Sequence, residues 1–182
     1  MTWASPSVIS PAMPPMRKST WCFDSVSLSN FALAHQFDLL LRRYPAGRLC
    51  VTPQVVDEVL NGIQSGYSAL SSIVIALEQG KLGHLQLSAD ELRRYQGLLV
   101  TLGAGEASLI ALAEKRRGTV VTDDRHARSV CHDLHIPVTG TLGILKAMCA
   151  EGMLTGAQAD KILSDMIHHG FYSPVQKSAE LD

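Results

Sequence analysis

The stretch TVVTDDRHARSVCHDLHIPVTG, residues 119–140, decides the fold. Thr119–Val121 reads as a short strand, and Asp123 and Asp124 follow it after Thr122. A helix is predicted over 124–134, with Asp124 placed to cap it, and Val138–Thr139 reads as another short strand. A strand, a helix and a strand in so short a span form a βαβ unit, which joins parallel neighbours by a right-handed crossover.

The same alternation extends outward in both directions. Thr20–Phe23 is a short apolar run ending at Asp24. A helix is predicted over Leu28–Leu41, with Leu33, Phe37, Leu40 and Leu41 on one side. Leu49–Val51 is a second strand, after which Thr52 is a capping residue and Pro53 suits the first helical position. Helical character continues to about Gln79 with breaks expected at Gly62 and Gly66. His84–Leu87 reads as a third strand, and Ser88 as the cap of the next helix. Gly103 and Gly105 interrupt, a helix is predicted over Glu106–Arg117, and Gly118 is expected to end it. Thr141–Ala150 is a further helix, and Thr155 with Gln158 forms a capping box for the last one. The prediction is an α/β fold with a central parallel sheet. There is no internal repeat.

The chain has 182 residues, the length of one domain with a full core. Its apolar fraction of 46% and charged fraction of 18% are those of a soluble globular protein. The net charge of −1 rules out general polycation attraction to nucleic acid, so any such contact needs a local patch. The four cysteines, Cys22, Cys50, Cys131 and Cys149, form no CxxC pair and read as reduced thiols of a cytoplasmic protein. Residues 1–18 are rich in Pro and Ser and are expected to form a disordered tail rather than a signal peptide. The domain is expected over 19–175, with a loose end from 176 to 182. No run of apolar residues is long enough for a membrane span.

Sites in a parallel sheet form beyond the carboxyl ends of its strands. Asp24 follows the first strand, and Asp123 and Asp124 follow the fourth, so all three open onto one edge. Glu58 lies on a helical turn that can lean back over that edge. Glu106 stands at a helix start, where the dipole favours an ionised carboxylate and the flanking glycines permit close backbone approach. Each acid alone has an ordinary explanation as a turn residue, a solvated helix face, a first-turn acid or a cap. Together, in largely apolar surroundings, such carboxylates repel one another and resist ionisation unless a cation neutralises them. The combination points to a divalent metal and phosphate-ester chemistry.

At these residues the chain resembles the PIN-domain superfamily. FDSVSLSNFALAHQFDLL is similar to its opening motif and VTPQVVDEV to its second. LGAGEASLIALA and VVTDDRHARSVCHDLHIPVTGTLGIL are the most specific stretches, and the likeness covers roughly Thr20 to Val175. They look most like a prokaryotic branch of predicted nucleic-acid-binding proteins close to VapC-type toxins. The resemblance implies a three-layer α/β/α fold and a metal-dependent endoribonuclease, and its likeness to VapC-type proteins implies a toxin paired with a small antitoxin. It implies that Asp24, Glu58, Glu106 and Asp124 are the catalytic acids. Asp24, Glu106 and Asp124 would hold Mg²⁺ or Mn²⁺. Asp123 matches no invariant acid of the family but could serve as an extra or substitute ligand. Ser25 and Thr122 occupy supporting positions beside the acids. Ser-Val-Ser after Asp24 departs from the small polar pair of many relatives. Relatives commonly form homodimers, and some branches lack nuclease activity.

Arg125 and Arg128 border the acidic pair and are the expected phosphate contacts. The other basic groups, around Arg42, Arg43 and Arg48, Arg93 and Arg94, and Lys115 to Arg117, read as solvated helix faces. The histidines lack zinc-ligand spacing and no HExxH occurs. Gly103-Ala104-Gly105 is no dinucleotide fingerprint, because it lacks the third glycine and does not directly follow a strand. Two other function classes are open: a catalytically silent PIN-like module that binds RNA or protein, and an aspartyl-phosphate phosphohydrolase. The last ranks lowest, because Asp24 is followed by Ser-Val and not by the x-Asp of that class.

Overall fold

The computed structural model describes residues 20–177 together with Glu180. The tail expected over residues 1–18 lies outside the described residues, as do 178, 179, 181 and 182 of the C-terminal end.

Five short parallel strands form the sheet: β1 (Trp21–Phe23), β2 (Leu49–Val51), β3 (Gly83–His84), β4 (Thr119–Val121) and β5 (Val138–Thr139). Their spatial order is β3-β2-β1-β4-β5. Between them run α1 (Ser25–Leu33), α2 (Phe37–Arg43), α3 (Pro53–Gln64), a 3₁₀ turn at Ser68–Leu70, α4 (Ser71–Glu78), α5 (Ala89–Leu98), α6 (Ala104–Arg116) and α7 (Arg125–Asp133). Two helices close the described chain, α8 (Thr141–Ala150) and α9 (Gly156–His168). This is the expected three-layer α/β/α arrangement. The chain winds from β1 outward to β3, then crosses to β4 on the other side of β1. The strand order therefore reverses between β1 and β4, where open α/β sheets leave a crevice for ligands.

Helix α6 is the central support of the sheet. Gly105 and every residue from Ala107 to Ala113 are buried. A helix that is apolar around most of its circumference must be enclosed. It packs on β1 and β4 and against α3, α5 and α7. Phe23, Leu28, Phe31, Leu40, Leu49, Leu109, Ile110 and Leu112 are among the largest fully buried side chains. Cys22, Cys50 and Cys131 are buried free thiols. Among the described residues no helix is long and apolar enough to cross a membrane.

Several boundaries differ from the sequence expectations. The helix predicted over Leu28–Leu41 is two helices, broken where His35 adopts φ 55°. Gly62 does not break α3. A Cβ there would lie 2.7 Å from Leu70 Cδ1, so its smallness admits that side chain instead. Gly66, at φ 101°, is the real break. Gly105 is helical, inside the first turn of α6. Arg117, not Gly118, takes the left-handed conformation that ends α6. Gly118 is needed for space, because a Cβ would lie 3.1 Å from Thr20 O and 3.2 Å from Cys22 Sγ. The third strand is shorter and earlier than expected, at Gly83–His84.

The Ser88 cap is completed by Glu91, whose side chain accepts from the Ser88 amide at 2.7 Å. The Glu91 carboxylate is buried and accepts from Arg116 Nε at 2.7 Å and Arg116 Nη2 at 2.8 Å. This two-pronged bond locks α5 to α6 and holds the Glu91 pKa down at about 2. Folded Glu91 thus releases its proton more readily than it would in the unfolded chain. Its stabilising contribution is complete above the ordinary value of 4.5 and is lost as pH falls toward 2. Glu91→Gln is expected to cost about 2 kcal/mol in urea unfolding at pH 7 and to remove this part of the acid-side loss. Equal stability of the two proteins at pH 7 would show that the pair does not hold α5 in place.

Candidate active site at the carboxyl edge of the sheet

The site is built on the pairing of β1 with β4. Trp21, Cys22 and Phe23 stand in register with Thr119, Val120 and Val121. The Asp24 amide continues the ladder by donating to Val121 O at 3.0 Å. Asp24 then caps α1, its Oδ1 accepting from the Ser27 amide at 2.6 Å. Asp124 does the same for α7, accepting from the Ala127 amide at 2.7 Å. Each acid is thus fixed by one oxygen at a helix start, where the dipole favours negative charge. Thr122 links the two. Its hydroxyl accepts from the Asp124 amide at 3.1 Å and bonds to the Asp24 carboxylate.

Asp24 is only 3% exposed. Burial is the main influence on its pKa and pushes it up to about 7, against the hydrogen bonds from Thr122 and Ser27, with a further upward push from Asp123. A buried carboxylate with no cationic partner resists ionisation.

Asp123 is held quite differently. Its Oδ1 accepts from the Thr141 amide at 2.8 Å. Its Oδ2 faces the Thr141 hydroxyl at 2.5 Å, Asn30 Nδ2 at 3.3 Å and the Ser27 hydroxyl at 3.4 Å. Asn30 also donates to Thr141 Oγ1 at 3.1 Å. This cluster stitches α1 to the β4 and β5 ends. Gly140 leaves it room, since a Cβ there would collide with Asp123 Oδ1. Ser27, Asn30 and Thr141 escape sequence reading because their partner lies up to 96 residues away and no local pattern marks them.

Glu106 stands in the first turn of α6. Its side chain folds back over Gly103, where a Cβ would lie 2.5 Å from Glu106 Oε2. Glu58 reaches the same helix start from α3. Its Oε1 accepts from the Gly105 amide at 3.1 Å, and its Oε2 accepts from the Ser25 hydroxyl at 2.6 Å. A Cβ on Gly105 would sit within 2.7 Å of both Glu58 oxygens, so glycine is required for this reach. Beneath, Thr52 and Ser108 hydroxyls meet at 2.6 Å, and Ser108 donates to Gly105 O at 2.7 Å. Thr52 spends its hydroxyl here and makes no side-chain cap for α3.

Asp24, Glu106, Asp123, Asp124 and Arg125 line one cavity of about 480 Å³. Glu58 and Ser25 lie outside its lining, and so does Arg128, whose Nη1 donates to Thr122 O at 3.1 Å and which lines the adjoining cleft. No histidine lines the cavity. Four other arginines are engaged elsewhere. Arg43 pairs with Glu151, Arg93 with Asp90, Arg94 with Glu114 and Arg116 with Glu91. Arg125 has no ion-pair partner among the described residues.

The donor chemistry fits a hard divalent cation: the cavity lining includes four carboxylates and no histidine or cysteine, and burial disfavours the Asp24 charge. As the side chains stand, no three His, Cys, Asp or Glu among the described residues form a group that could hold an ion. Asp24 and Asp124 each commit one oxygen to a helix amide, and Asp123 commits both.

A family model described as a PIN domain matches residues 20–181, from just before β1 to past the last described helix. No curated protein matches the chain.

The raised Asp24 pKa has a direct consequence for stability. The folded state binds this proton more tightly than the unfolded state, so stability is greatest below about pH 4 and is lost as pH rises to about 7. Asp24→Asn keeps the cap acceptor and removes the charge. In EDTA, urea titrations are expected to show the variant more stable than the parent at pH 8, with the difference shrinking toward pH 5. A variant less stable than its parent at pH 8 would contradict an uncompensated buried charge.

Proposed function

The chain belongs to the PIN-domain family, and from that premise we propose a metal-dependent endoribonuclease that hydrolyses phosphodiester bonds of RNA at the acidic cavity. PIN domains are commonly nucleases and generally use divalent metal ions. The single observation that carries the proposal is the convergence of Asp24, Glu106, Asp123 and Asp124 beside an unpaired arginine in one cavity. Four acids that repel one another offer little to a neutral ligand. They suit a site whose working form contains a cation and whose ligand is a phosphate ester.

In this reading Asp24, Glu106 and Asp124 hold Mg²⁺ or Mn²⁺, which when bound supplies charge neutralisation at phosphate oxygens and a more acidic water. The remaining work falls to the chain itself. Thr122 and Ser27 hold the Asp24 carboxylate in one orientation. Asp123 serves chiefly to position Asn30 and Thr141. Glu58 sets the approach of α3 to the first turn of α6 and so the place of Glu106, with Ser25 fixing the other oxygen. Glu58 is therefore a positioning residue. Arg125 faces the cavity and is suited to grip a phosphate that has entered it.

A PIN-fold binding module without turnover is the second reading. It is favoured by the lack, among the described residues, of three side chains grouped around one metal position. The role of toxin, a cognate antitoxin and a homodimer rest on the sequence resemblance alone.

The two readings separate in one assay. Purified protein incubated with single-stranded RNA and Mn²⁺ is expected to produce internal cuts that EDTA stops. Asp24→Asn and Glu106→Gln are each expected to lower the rate by at least about 100-fold, in keeping with loss of a transition-state charge partner. Glu58→Gln is expected to lower it less. RNA binding without cuts by the parent protein would select the silent module, and undiminished cutting by Asp24→Asn would move the site elsewhere.

A further inference from the structure

A second cleft of about 340 Å³ opens directly beside the acidic cavity. The two share Asp123, Arg125, Phe171 and Tyr172 in their linings, so they are continuous. The charge changes along the way. The first holds four carboxylates, whereas the second adds Arg128 and a floor that includes Thr139 and Gly140 at the end of β5.

Tyr172 stands at the junction of the two. It is 80% exposed, although large aromatic side chains usually find cover. Its neighbour Phe171 is buried, and the Phe171 amide donates to Met166 O at 3.0 Å. The anchor in α9 fixes where the next residue leaves the surface. Tyr172 is thus an open aromatic face on an anchored base, in a cleft whose lining also includes Arg125 and Arg128.

We propose that this cleft receives the nucleotide next to the scissile phosphate of a single-stranded RNA, with Tyr172 stacked on its base. The proposal rests on the reading of the acidic cavity as the phosphodiester site. Three physical features favour it. An exposed aromatic ring stacks on any base, which suits a surface that grips single strands with little sequence preference. Arg125 presents a forked donor to a backbone phosphate on the far side of that base, and Arg128, one helical turn on and bonded through Nη1 to Thr122 O, adds positive charge there. The adjoining acids repel phosphate, so a backbone that crosses from one cavity to the other is favoured on the cleft side, where the arginines stand. A duplex does not meet these terms, because its bases are already stacked on one another.

The test separates this inference from the nuclease reading by measuring binding and cutting independently. Binding is followed by fluorescence anisotropy of a labelled single-stranded RNA 12-mer and of the same strand in a duplex, in the Asp24→Asn background. Tyr172→Ala is expected to weaken single-strand binding about tenfold, the scale of one base stacked on an aromatic ring, and duplex binding by less than about twofold. Tyr172→Trp is expected to restore it. Val100→Ala, at an exposed apolar residue that lines neither cavity, is expected to change nothing. In the parent protein with Mn²⁺, Tyr172→Ala is expected to raise KM with little change in kcat. Single-strand binding that is unchanged by Tyr172→Ala, or restored by no aromatic, overturns the inference, as does a protein that binds no single strand. Absence of cutting with the Tyr172 dependence intact would instead overturn the nuclease reading and leave the cleft as a binding surface.

Discussion

The hydrogen bond from the Asp24 amide to the Val121 carbonyl, 3.0 Å long, ties the first acid to the end of the strand that delivers the others. Strands β1 and β4 are separated by nearly one hundred residues of chain, yet their pairing brings Asp24, Asp123 and Asp124 to one edge. That edge is also where the strand order reverses and the helices leave a crevice. Every later feature depends on this register. A slip of one residue would turn the side chains of β1 to the opposite face and carry Asp24 away from the cavity.

Gathering carboxylates has an electrostatic cost, and the protein meets it in three ways. Asp123 spends both its oxygens on donors from Thr141, Asn30 and Ser27. Asp124 and Glu106 stand at helix starts, with backbone amides and dipoles nearby. Asp24 receives hydrogen bonds from Thr122 and Ser27, yet burial still holds its pKa near 7. Asp24 is also almost fully buried, so a positive charge placed beside it would favour its ionised form.

Much of this was legible in the sequence, for physical reasons. β2, β4, β5 and α8 match their predicted bounds because each is a short apolar or β-branched run set between clear turn and cap residues. Asp24 and Asp124 could be placed because acids directly after strands of a parallel sheet share an edge. The glycines before Glu106 announced a close approach, and Gly105 makes one, to Glu58. The break between α1 and α2 was hidden, since Leu33, Phe37, Leu40 and Leu41 keep helical spacing across it and His35 gives no sign of a positive φ. Asn30, Thr141 and Glu91 were hidden for another reason. Each is an ordinary polar residue whose partner is supplied only by the tertiary fold.

The central claim is that these acids form one cation-holding pocket. Calorimetric titration of Mn²⁺ into the purified protein tests it most directly. The account predicts saturable uptake by the parent and its loss in Asp24→Asn. A parent protein that takes up no Mn²⁺, or a variant that takes it up as well as its parent, would contradict it.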